Sequence, residues 1–147
     1  MSRRCSPPRA AATRPLPRAD DPLRDPHDAV ALIATVASRP VQHEVVVVLL
    51  DAARRGGPVF VVETGDDRTE VEIVLAVIEL VERLPAVDAL VIGSIRPGAS
   101  IDDADQYHWL DAVEAAGLIG VVVVDWFVLD GTTATSLAVR SGSPSQW

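Results

Sequence analysis

Three acidic or basic side chains in this sequence stand where they could do chemistry together. The segment from Asp102 to His108 sets Asp102, Asp103 and Asp105 ahead of an imidazole. Asp105 and His108 are three residues apart, so on a helix they share a face, where they could hold a metal ion or pass a proton. Glu44 opens the apolar run 44–50, and a carboxylate entering a buried strand needs a partner. Glu44, Asp105 and His108 are therefore the candidate catalytic set, for hydrolysis through a metal or through acid and base. The simpler reading of Asp105 and His108 is a solvated pair at the start of a helix. His27 and His43 are isolated, one near a helix start and one before a strand. Ser94 follows a predicted strand, but Gly93-Ser94-Ile95-Arg96 is not a G-x-S-x-G elbow and no acid–histidine pair surrounds it.

These residues need a scaffold. Asp25-Pro26 reads as a helix start, an aspartate cap with proline at the first helical position. Val30, Leu32, Ile33 and Val36 then give an apolar face. Residues 43–51 read as a buried strand, and 58–64 as its return after a Gly-rich turn, making a hairpin. Thr69 and Glu72 form a capping box for a helix over 70–84, which Pro85 ends. Residues 89–93 are a third strand that empties into the loop 94–100. A helix follows to about Ala116, with Asp102, Asp103 and Asp105 in its first turn, where carboxylates suit the positive end. Residues 119–129 are a fourth strand and 133–139 a fifth. This order predicts an α/β fold, a three-layer-like mixed β-sheet opened by a hairpin and flanked by helices. Neither GxGxxG nor GxxxxGK follows the first strand, so the glycine-loop nucleotide sites are unsupported.

Length and charge narrow the function classes. A chain of 147 residues, 48% apolar, fits one domain with one core. We divide it into an Arg/Pro-rich leader over 1–24, expected to be disordered, a single domain over 25–140 and a loose tail over 141–147. The leader carries six arginines against Asp20 and Asp21, a net of +4; the rest has seven arginines against nineteen acids, a net of −12, and the chain has no lysine. So acidic a body offers no basic surface to a phosphate backbone, which disfavours nucleic acid. The apolar runs are too short to span a bilayer, and no secretory signal core is present. The lone Cys5 can form no internal disulfide. Together these readings lead us to expect a cytoplasmic protein that does not engage membranes.

The stretch over 88–130 resembles the JAB/MPN metallopeptidase-like domain, and most of all its bacterial RadC-type branch. In that family a glutamate lies near the first strand, a later strand ends in His-x-His-Pro-x-Gly, a helix brings Ser-x-x-Asp, and the next strand ends near Asp-His. Two histidines and the helix aspartate hold zinc there. The resemblance places Glu44 at the family glutamate, in QHEVVVVLLD, and Ser94 and Arg96 at the two histidines, with Pro97 retained. Asp102 and Asp105 match the serine and aspartate of the helix motif. Asp125 matches the strand aspartate, and Trp126 stands for the histidine that follows. With Ser94 and Arg96 in ligand positions, the ordinary zinc centre is expected to be lost, and no cofactor is expected; zinc held by Asp105 and His108 is the alternative. The family-like arrangement would also put Arg96 close enough to pair with Glu44.

These observations lead us to expect a non-catalytic module that binds another protein or its own copy, as a homodimer. Tyr107, Trp109 and Trp126 are the aromatic candidates for a partner surface. The other expectations kept open are a hydrolase with an altered site and a small ligand-binding or regulatory α/β domain.

Overall fold

A computed structural model describes residues 21–65 and 67–147. The expectation for residues 1–20 lies outside them. The remainder of the leader joins the body: Leu23 is buried, and its N–H donates to the Arg54 carbonyl at 2.9 Å.

Helix α1 (Pro26–Val36) starts as its sequence dictates, with the Asp25 carboxylate accepting from the Asp28 N–H at 3.0 Å. Strands β1 (Glu44–Leu50) and β2 (Gly56–Glu63) form the antiparallel hairpin. The capping box of Thr69 and Glu72 opens α2 (Glu70–Val81), and β3 (Ala89–Ile95) follows. Helix α3 (Ala104–Leu118) crosses to β4 (Val122–Leu129), which turns back into the short β5 (Ala134–Ser136) and one turn of helix, α4 (Leu137–Arg140).

The sheet order is β2-β1-β3-β4-β5, antiparallel throughout except for the β3–β4 pair, which α3 connects. The fold is thus α/β with a mixed, hairpin-opened sheet, as the element order predicted. Both sheet faces are covered, and the side-chain alternation of a strand divides the core in two. Val45, Val47 and Leu49 pack with α2 and α3; Val46, Val48 and Leu50 pack toward α1. That is why β1 reads as an unbroken apolar run. Gly93 marks the closest approach of α1, since a Cβ there would lie 2.7 Å from Cγ2 of Ile33.

Several boundaries differ from expectation. β3 continues through Ser94 and Ile95, because both pair with β1 and β4, so Ser94 is a strand residue and not a loop residue. Asp102 and Asp103 precede α3, which passes through Gly117; the chain turns at Gly120, φ 76°. The expected fifth strand divides at Ser136, whose hydroxyl caps α4 by accepting from the Val139 N–H at 3.0 Å. The 141–147 stretch, expected to be loose, lies against the body. Trp109 Nε1 donates to Ser143 Oγ at 3.1 Å, and the Trp147 ring sits 6.4 Å from that of Phe127.

Candidate functional site

Ser94 and Arg96 sit at alternate positions of β3 and its end, in line with Leu90 and Ile92, and so project toward α2 and α3. The Arg96 N–H donates to the Leu129 carbonyl at 2.8 Å, which holds the strand end against β4. Two helix N-termini meet the Arg96 side chain. Glu70, the first residue of α2, accepts from Nε at 2.9 Å and from Nη2 at 2.5 Å; Asp105, in the first turn of α3, accepts from Nη1 at 2.8 Å and Nη2 at 2.6 Å. Both carboxylates are at the helix end where negative charge is favoured. A guanidinium is a planar fork, and here it makes two bidentate contacts.

The cluster extends on both sides. Ser94 Oγ donates to Glu70 at 3.0 Å and accepts from Trp126 Nε1 at 2.8 Å. The Asp102 N–H donates to Asp105 at 2.9 Å. Burial alone would push the Asp105 carboxyl up, but the Arg96 hydrogen bonds and the Asp102 amide hold it below the usual carboxylate range. Burial opposes the Arg96 charge too, and its two carboxylates more than reverse that, raising it above its ordinary value. This is one buried cation locked between two anions.

Not all of the sequence candidates converge. Asp105 and His108 are neighbours as the helical spacing predicted, with His108 Nδ1 3.9 Å from Asp105 Oδ1, beyond hydrogen-bond reach. That Nδ1 is buried and has no hydrogen-bond partner among the described residues. Glu44 is elsewhere. It shares the parity of Val46 and Val48, faces α1, and accepts from the Ser38 N–H at 2.8 Å. The expected Glu44–Arg96 pair is therefore corrected, because consecutive strand positions point to opposite faces and Glu44 is registered with Ile95, not with Arg96. For the same reason Glu44, Asp105 and His108 do not form one site. His27 and His43 are exposed and stand apart from the cluster.

Asp125 anchors a second buried polar centre. It accepts from the Trp126 N–H at 2.7 Å, from the Ser136 hydroxyl at 2.9 and 2.8 Å, and from the Ala138 N–H at 3.3 Å. Here burial outweighs the hydrogen bonds and raises the carboxyl above its ordinary value.

The aromatic surface expected from Tyr107, Trp109 and Trp126 is also corrected. Trp109 and Trp126 are core residues, since each indole N–H finds a serine acceptor inside the fold; Tyr107 alone is exposed, at 69%. Sequence reasoning missed Glu70. Its signal was an acid at the first helical position, passed over in favour of the Thr69–Glu72 box beside it.

The residues in the positions that the resemblance gives to zinc ligands do not fit the ion. Arg96 has no lone pair to give, the Ser94 hydroxyl is taken up by Glu70 and Trp126, and both Asp105 oxygens accept from Arg96. Among the described residues no three His, Cys, Asp or Glu side chains are grouped to hold a metal, and no helix is long and apolar enough to cross a membrane. No protein-family model matches the chain, and no curated protein matches it.

Proposed function

We propose that this chain is a JAB/RadC-like domain whose metal centre has been replaced by an internal ion cluster, and that it acts by binding protein. The observation that carries the reading is Arg96. Its guanidinium lies between Asp105 and Glu70, so a fixed positive charge stands where the resemblance implies a cation. Such a cluster ties the end of β3 to the starts of α2 and α3 without any exchangeable ion. The hairpin-opened mixed sheet is compatible with this reading.

Binding is favoured by what α3 leaves uncovered. Tyr107, Leu110 and Leu118 are 69%, 50% and 84% exposed, and Val113 lies among them. Asp111 and Glu114 are on the same helix, which has no Lys or Arg. Two copies of this face would set like charges together, so it suits a different protein, one with an apolar anchor and a basic rim. A second copy is better served by the β2 edge, where Val59 and Val61 are partly exposed and no further strand pairs among the described residues.

The test is zinc content by elemental mass spectrometry, on tag-free protein challenged with zinc and then dialysed. Substoichiometric zinc is expected, with no hydrolysis of peptide or isopeptide substrates. The variant S94H/R96H, which places two imidazoles beside Asp105, is expected to gain zinc. One zinc per wild-type chain, lost in D105A, would overturn the reading. Sedimentation velocity of wild type and V61D then separates self-association through β2 from a role reserved for another protein.

A further inference from the structure

On the opposite sheet face from Arg96, a cleft of about 290 Å³ opens between α1 and the ends of β3 and β4. Ala34 and Ala37 form one wall, Ile95 and Leu129 the floor, and the turn from Gly131 to Ala134 the other wall. It is open because the facing side chains are small: a helix that presents alanine to a glycine-containing turn cannot fill the gap. The volume is just below the roughly 300–1,000 Å³ of ligand clefts, and the lining is mostly apolar, as such clefts are.

Among the described residues Arg39 is the only charged one that lines the cleft. Its single polar contact among the described residues is long, from Nη2 to the Ala34 carbonyl at 3.4 Å. A guanidinium has five N–H donors, so most of them remain for a ligand. Among the described residues no carboxylate lies within ion-pair distance of Arg39, and the acids of the neighbouring segments accept from backbone amides. Asp130 accepts from the Thr132 and Thr133 amides, each at 2.8 Å, and Glu44 accepts from the Ser38 amide. A cation without a carboxylate, at the rim of an apolar cleft in a chain with 21 acids and 13 arginines, marks the polar end of whatever enters.

We propose that this cleft binds a small molecule with an apolar body and one carboxylate, the body between α1 and the β4–β5 turn and the carboxylate on Arg39. The site is independent of the Arg96 cluster and of the reading built on it. A neutral ligand of the same shape would keep the apolar contacts and forgo the charge-assisted hydrogen bonds.

Octanoate and octanol, titrated into ¹⁵N-labelled full-length protein, test this by amide chemical shifts. Octanoate is expected to give saturable shifts at Ala34, Ala37, Leu129 and Thr133. R39Q, at an exposed position, should weaken octanoate by roughly tenfold, the loss of one charge-assisted contact, and leave octanol unchanged. A34W, which fills the cleft from an exposed helix position, should abolish both, while R140Q should alter neither. The proposal fails if octanoate does not saturate, if the shifts fall elsewhere, or if folded R39Q binds octanoate as wild type does. It also fails if a peptide ending in leucine binds there and octanoate does not, for the occupant would then be a protein terminus.

Discussion

Asp105 and Asp125 are both 2% exposed, with Asp125 the more deeply enclosed, and their carboxyl groups move in opposite directions. Asp105 faces a guanidinium that touches both its oxygens. Asp125 faces two backbone N–H groups, a serine hydroxyl and the Trp147 indole, all neutral. Asp125 is the more deeply enclosed, and hydrogen bonds from dipoles satisfy its acceptor atoms without matching the charge, so burial wins there and loses at Asp105. One centre is an ion cluster that joins three elements. The other is a polar latch that holds β5 and α4 against β4.

The largest way to break the contrast is to remove the cation. R96M strands the Asp105 carboxylate at full burial and Glu70 beside it, and should cost about 3–5 kcal/mol in urea denaturation. Replacing the partners as well, in E70Q/R96M/D105L, should recover most of that loss, because it removes the uncompensated charges together with the cation. If the triple variant is no better than R96M, packing of the arginine stem, and not charge, holds the site.

The latch should respond less. D125N keeps one acceptor oxygen and loses the other, so about 1–2 kcal/mol is expected, well below R96M. A loss as large as that of R96M would mean that Asp125 is matched by a charge and would abolish the distinction.

Acidity separates the two centres by sign. The folded-state value of Asp105 is depressed, so its contribution is present above the unfolded value near 3.9 and is lost as pH falls through the folded one. The folded-state value of Asp125 is raised, so its contribution is present below the unfolded value and is lost as pH rises through the folded one. Stability measured from pH 3 to 7 should therefore show D105N falling further behind wild type as pH rises, and D125N gaining on it. Parallel curves for the two variants would refute the assignment.

The smallest effect is expected where the cation is in solvent. Arg24 approaches the buried Asp28 at 3.7 Å, but its own side chain is 73% exposed, and R24Q should change stability by less than about 0.5 kcal/mol. A loss comparable to D125N would show that exposure does not rank these interactions.

Much of the fold was legible along the chain because its signals are local. The Asp25-Pro26 start, the Thr69–Glu72 box and the continuous apolar run of β1 each depend on neighbours a few residues away. The boundaries that shifted depend on distant partners. Ser94 and Ile95 belong to β3 because β1 and β4 both reach that far, and Ser136 ends β5 because Asp125 and the first turn of α4 both use its hydroxyl. The candidate site was legible in part. Ser94, Arg96 and Asp105 stood together on family resemblance, and Asp105 with His108 on helical spacing. Glu70 did not, since nothing within α2 distinguishes an acid that caps a helix from one that also reaches a buried arginine.

What the sequence determined by itself was the element order and the mixed sheet that follows from a hairpin ahead of a strand–helix–strand unit. These follow from residue type and short-range periodicity. Tertiary structure alone decided which carboxylates meet Arg96. Glu44 is adjacent to it across two strands but on the other face, while Glu70, 26 residues away in sequence, is bonded to it. The alternation of strand side chains separates near neighbours, and the docking of two helix ends on one strand end joins distant ones.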